Sequence, residues 1–368
     1  MNPFKYGCTV GGENFCHRPK LARILRGYVE SGQNVFIQGE RRMGKTSLVL
    51  ETIRGMKGIA LFHADFLCVR DQADFCKRLL TAIARLESSE GWLAKTIKSF
   101  AYLKPTFSID PTSGAPTLSV DTRLASEPAT LDAVLDTLIA QTAKRKVCAV
   151  LDEFQDILDL EDGESVLAIM RARIQLDSKT PYIFLGSVRN RMTDIFMHPE
   201  SPFYRGAAPL PVGTIDPDDF FAFIGARFAT GRRSLERTQF DAISDIANST
   251  PGYIQELCGA IWDVTASGST IDNATIERAL NAVFLREQDL FTVFMRYLTA
   301  HQTRILKSIA TLGGKAVCSK EFLAASGTYN ASSVKVALAK LEKAQILYWF
   351  DGDYHFVNPF FREWLKRL

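Results

Sequence analysis

No stretch of this 368-residue sequence is apolar for long enough to cross a membrane. The longest runs, VCAVL (147–151) and YIFLG (182–186), fall well short of the roughly 18 to 20 residues a span requires. An integral membrane protein is therefore not expected. The opening MNPFKYGCTVGG has one lysine and no apolar h-region, so no secretory signal is read there, and the cytoplasm is the expected compartment. Cysteine is sparse and unpatterned: seven residues, an odd number, with no CxxC pair to build a disulfide frame or a zinc site. Reduced, mostly buried thiols are expected. What is present is the composition of a folded chain: 46% hydrophobic residues excludes wholesale disorder, and at about 150 residues per domain the length suggests two to three domains.

The net charge of +3 is unevenly spread. From Arg296 to the end there are 11 Lys or Arg against 5 Asp or Glu, a net +6, so the preceding residues sum to −3. A basic tail suits an acidic partner, though solvated surface lysines give the same count.

QNVFIQ (33–38) reads as a short strand, GERRMGKTS (39–47) as a glycine loop and SLVLETIRGM as a helix, which makes one βα unit. GIALFHADF (58–66), VCAVLDEF (147–154), YIFLGSV (182–188) and LPV (210–212) are further strand candidates separated by helical patterns, so a parallel, three-layer α/β sheet is expected. TFSID (106–110) and TLSVD (117–121) alternate around a turn and predict an inserted β-hairpin near 105–121. After Asp216, which caps a helix with Pro217 at its first position, the pattern is helical with no strand up to 297. From 298 a helix, a short helix, a helix capped by Ser332 or Ser333, and ILYWF and YHFV around Asp351-Gly352 predict a winged helix. The expected division is 1–215 for the α/β core, 216–297 for a helical lid and 298–368 for the winged helix.

Gly39, Gly44, Lys45 and Thr46 complete G-x-x-x-x-G-K-[ST]. In this pattern backbone amides wrap the β-phosphate, the helix N-terminus adds its positive end, the lysine reaches the β and γ oxygens and the hydroxyl ligates Mg²⁺. Gly39, Arg42, Met43, Gly44, Lys45, Thr46 and Ser47 are the expected nucleotide contacts. Asp152 and Glu153 follow the buried-strand pattern VCAVL directly. Asp152 is expected to hold Mg²⁺ through water, and Glu153 to act as general base on the attacking water. No N-K-x-D guanine-reading string occurs, so ATP is preferred to GTP.

NPFKYG, ENFCHRPKLARIL, GERRMGKTSL, VLDEFQD, FLGS, SPFYRG and VNPFFREWL, in this order and over nearly the whole length, resemble the archaeal-type ATPase family. That family lies on the branch joining origin-recognition-type AAA+ proteins to the STAND signalling ATPases. The resemblance implies that Ser187 is a sensor toward the γ-phosphate or lytic water and that Arg18 helps frame the adenine pocket. It also implies that Arg205 faces a phosphate, with Arg189 and Arg191 as competitors near the nucleotide end of the sheet. An arginine of this kind is often delivered by an adjacent subunit, so a homo-oligomer is one expectation. The lid phrase TPGYIQEL matches only in part and has no arginine where an AAA+ second sensor would stand, and no superstructure repeats of the STAND type follow.

In the third helix of the winged helix, Val334, Ala337, Leu338 and Leu341 recur at core spacing and leave Lys335, Lys340 and Lys343 for the exposed side. Two readings follow. In one, a Mg²⁺-dependent ATPase acts on double-stranded DNA through those lysines. In the other, a slowly hydrolysing switch acts on a protein partner, with the winged helix used for packing. Exposure of the three lysines on one face discriminates between them.

Overall fold

The computed structural model describes residues 1–86, 106–109, 116–119, 128–187, 189–328 and 330–368. They form two compact units, Thr9–Gly213 and, discontinuously, Met1–Cys8 with Thr214–Leu368. Among the described residues, no helix is long and apolar enough to cross a membrane.

The first unit is built on a five-stranded parallel sheet of order β2-β5-β6-β1-β7, made of β1 (Val35–Gln38), β2 (Ala60–Asp65), β5 (Val147–Asp152), β6 (Tyr182–Gly186) and β7 (Ala208–Pro211). Strand residues alternate between faces, so each face has its own apolar set. Val35 and Ile37 pack with Leu48 and Val49 of α2 (Lys45–Arg54) and Leu25 of α1 (Pro19–Glu30). Phe36 points the other way and stacks on Phe196 at 4.7 Å, inside a cluster with Phe154, Phe184 and Phe203. Burial on both faces explains why β5 and β6 read as unbroken apolar runs. The two strands of the expected hairpin pair: β3 (Thr106–Ile109) runs antiparallel to β4 (Pro116–Ser119), while 105, 110–115 and 120–121 lie outside the described residues. Of the cysteines, Cys16, Cys76, Cys148 and Cys258 are buried and the other three exposed, all as free thiols.

The second unit is helical except for one hairpin. Asp216 caps the helix Pro217–Ala229, its carboxylate accepting from the amides of Asp218 and Asp219 at 3.0 and 3.3 Å. The helices Arg237–Ile246, Pro251–Val264 and Asn273–Tyr297 follow. Then come Ala300–Leu312, Lys320–Ala325, the helix Ala331–Lys343, the strands β8 (Leu347–Phe350) and β9 (Asp353–Phe356), and a closing helix Pro359–Leu365. The cap of Ala331–Lys343 is Asn330, not Ser332 or Ser333: its side chain accepts from both serine amides. The closing helix, capped by Asn358 with Pro359 at its first position, has no counterpart in the sequence reading.

Two features differ from the expected three-part division. Residues 1–8, assigned to the core, pack in the helical unit, where Phe4 lies 4.7 Å from the Phe228 ring and 6.3 Å from Trp262. Lid and winged helix also pack as one body. Tyr253 donates its hydroxyl to Val357 O at 3.0 Å, Arg362 donates to Asp245 O at 2.7 Å, and Phe291 meets Phe361 and Trp364.

Candidate active site

Gln38, Asp152 and Gly186 end three neighbouring strands at one edge of the sheet, so the loop after β1 and the residues after β5 and β6 converge there. The loop after β1 is tightly constrained. A Cβ on Gly39 would collide with the Val212 carbonyl oxygen. Arg42 and Gly44 both take left-handed backbone, at φ 63° and 79°. A glycine adopts this freely and an arginine does not. Gly44 opens α2 and no side chain caps that helix, which leaves its first amides for an anion.

Lys45 is buried beneath the loop. Its ammonium donates to Gly39 O at 2.7 Å and Glu40 O at 2.9 Å. Burial lowers its pKa to about 8, against the opposing pull of the Glu153, Asp152 and Glu40 carboxylates. Between about 8 and its ordinary 10.5, the unfolded chain holds a proton that the folded chain has lost, so this group's contribution to stability rises with pH over that window. A triphosphate requires the ammonium, so its affinity falls across the same window and binding near pH 8 takes up a proton. Calorimetry in buffers of different ionisation enthalpy measures that uptake directly.

Thr46 Oγ1 donates to Asp152 Oδ2 at 2.7 Å, and Asp152 Oδ1 accepts the Glu153 amide at 2.9 Å. His63, on β2 beside β5, stands 3.6 Å from the same Oδ2, beyond hydrogen-bond distance, with its Nε2 buried and otherwise unpartnered. Burial by itself would raise the Asp152 carboxyl. The neighbouring His63, Thr46 and the Glu153 amide outweigh it and hold the pKa below the ordinary value. A hydroxyl and an ionised carboxylate side by side are the oxygen donors a small hard cation takes when phosphates and water supply the rest. The residues therefore fit Mg²⁺ with a nucleotide.

Glu153 sits at φ 48°, a left-handed conformation that costs a non-glycine residue on the order of 1 kcal/mol or more and concentrates at functional sites. Its Oε2 accepts from Ser187 Oγ at 2.7 Å and from Gln155 Nε2 at 2.7 Å. The expected sensor and the expected base are thus in direct contact. Gln155, missed in the sequence, is buried and also donates to Asp156 at 2.8 Å. A serine closing a buried strand gives a signal in sequence, whereas a glutamine two residues past the acid gives none.

The guanidinium of Arg18 is buried and donates to Met43 O and Gly213 O, both at 2.7 Å. It ties the loop to the last residue of the core, and burial lowers its pKa to about 10. Ser47 Oγ accepts the Val10 amide at 3.1 Å, the Met43 side chain belongs to the core, and Arg42 is exposed. Arg191 is held in a two-point pair with Asp159 at 2.8 Å, and the Arg189 side chain lies outside the described residues. Arg205 precedes β7, whose first residue pairs with Val35, so its backbone lies at the amino-terminal edge of the sheet, opposite the loop. The expectation that it lies at the nucleotide end of the sheet is corrected by the parallel direction of β7.

Among curated proteins, none matches the chain. A family described as a probable winged helix domain matches residues 289–367, beginning inside Asn273–Tyr297. Among solved structures, the chain is similar to the Walker-type ATPase of Pyrococcus abyssi over 100% of both chains, with a TM-score of 0.68 at 18% identity. It is also similar to the ORC2 protein of Aeropyrum pernix in its ADPNP–ADP complexes, over 95% of this chain and 91% of that one, with a TM-score of 0.52 at 12% identity. The ADP form of that protein gives 0.50 at 14% identity over the same shares. The chain has the fold of the P-loop ATPases, carried on a five-stranded parallel sheet and followed by helical segments and a winged-helix domain.

Proposed function

We propose that the protein binds Mg·ATP in the loop 39–47 and hydrolyses it, and that the state of the nucleotide is passed to the helical unit. The observation that carries this reading is the convergence at one sheet edge of the buried Lys45, the Thr46–Asp152 pair and Glu153. Lys45 would neutralise the β and γ oxygens, and Thr46 and Asp152 would hold Mg²⁺, which supplies charge neutralisation along the phosphates. Glu153 would take the proton of the attacking water once Ser187 turns toward the γ-phosphate and leaves Oε2 with the Gln155 amide alone. Arg205 has no route to its own chain's site, so a part in hydrolysis requires a second copy.

The winged helix supports action on DNA. Lys335, Lys340 and Lys343 are all exposed, on the side of their helix away from the buried Val334, Ala337, Leu338 and Leu341. The domain packs on the lid through its closing helix and the preceding turn, which leaves the lysine face open. ATP turnover should require Mg²⁺. Replacing the three lysines with alanine should weaken duplex binding and flatten its salt dependence by about 2 to 3 in logarithmic slope, with turnover in the absence of DNA unchanged. Unaltered DNA binding in that variant would return the winged helix to a packing role. The switch reading keeps one supporting observation: a base already accepting two hydrogen bonds is a weaker base, which suits slow hydrolysis.

A further inference from the structure

Helix α2 runs from the phosphate loop to Arg54, ten residues or about 15 Å of axis, and two adjoining cavities open at its far end. One, of about 620 Å³, is bounded by Ile59, Val147 and Pro181, where the chain enters β2, β5 and β6. The other, of about 630 Å³, follows α1 and α2. Arg26 and Gly55 line both, so the two form one groove, with the Arg26 guanidinium lying over Gly55. The first cavity is at the amino-terminal edge of the strands, opposite the nucleotide site, and the second runs back along the two helices as far as Arg18, which holds Met43 of the phosphate loop.

Its walls carry Arg23, Arg26, Arg54, Lys57, Lys146 and Lys179, all exposed. Glu30 and Glu51 are the carboxylates among the lining residues. Glu51 stands 3.8 Å from Arg54, and the other five cations have no ion-pair partner among the described residues. Lys146 also closes a basic run, 144 to 146. Like charges gathered this way repel one another in the free protein, and a polyanion laid along them relieves that repulsion while releasing its own counterions. The cavity bounded by Ile59, Val147 and Pro181 has no aromatic lining residue, while the other is lined by the buried Phe15 and by His17. The first therefore offers neither the anchor a protein partner uses nor a platform for stacking an unpaired base. Long lysine stems around an unobstructed trough suit a repeating, sequence-independent charge.

We propose that this groove binds the phosphate backbone of double-stranded DNA, as a nucleic-acid contact of the core unit in its own right, separate from the lysine face of the winged helix. The test uses the full chain and a mixed-sequence duplex of about three helical turns, followed by fluorescence anisotropy over a potassium chloride series. Changing Lys57, Lys146 and Lys179 together to glutamine removes three exposed charges and should flatten the slope of log K against log salt by about 2 to 3. ATP affinity and melting temperature should stay as in the wild type, which separates this result from failure of the nucleotide site. Gly55→Tyr, at a helix end with ordinary right-handed backbone, places bulk in the groove without altering charge and should also weaken binding. A wild-type slope in the triple variant overturns the proposal and leaves an acidic protein surface as the groove's partner. So does a variant of Lys335, Lys340 and Lys343 that by itself removes the whole salt dependence.

Discussion

Replacing Lys45 with alanine is expected to abolish Mg·ATP binding at micromolar concentrations while the chain stays folded. The ammonium makes two hydrogen bonds to loop carbonyls and lies under the space a β-phosphate would occupy. Loss of two charge-assisted contacts to a triphosphate amounts to about 3 to 4 kcal/mol, or a factor of roughly 10² to 10³ in affinity. The substitution also frees the carbonyls of Gly39 and Glu40, but it removes a buried charge at the same time, so the two effects on stability oppose each other. Lys45→Met keeps the stem and serves as the control for packing. Titration calorimetry reads the affinity and circular dichroism reads the fold. Wild-type affinity in both variants would mean that the nucleotide, if bound, sits elsewhere.

Glu153→Gln is the second large effect, and it separates binding from chemistry. The amide retains an acceptor for Ser187 or Gln155 and keeps the left-handed backbone at 153, so ATP affinity should change little. What it loses is the capacity to take a proton, a loss of about 10² to 10⁴ in turnover. The variant should retain unhydrolysed ATP through gel filtration, and single-turnover kinetics should show a slow chemical step rather than slow release. Turnover at the wild-type rate would reduce Glu153 to a structural acid holding the Ser187–Gln155 contact.

What the sequence made legible follows from which constraints are local. The loop 39–47 was readable because phosphate chemistry fixes residue type and spacing within one βα unit. Asp152 and Glu153 were readable because a fully buried strand announces where it ends. The partners of these residues were not. His63 stands beside Asp152 only because β2 pairs with β5 in a register that sets Asp65 against Asp152, and nothing in either segment states that register. The two backbone carbonyls that take the Arg18 guanidinium lie 25 and 195 residues away, and neither is marked in the sequence. Arg205 was misplaced because its short distance in sequence from the sensor strand hides a helix that carries the chain back to the opposite edge. The serines at 332 and 333 drew the cap assignment from Asn330, although Asn and Ser are about equally good caps and only geometry decides between them.

The insertion of the core between the two parts of the helical unit sets an order of events during synthesis. Once Gly213 has left the ribosome, every residue of the core exists and its sheet can close, whereas Phe4 has emerged without the aromatic rings it packs between. The 155 residues from Thr214 to Leu368 take roughly 8 to 30 s more at about 5 to 20 residues per second. Through that interval residues 1–8 wait beside the core without their partners. The phosphate loop is therefore ready to take nucleotide before the unit it is proposed to control has been made, and residues 1–8 are among the last to find their place.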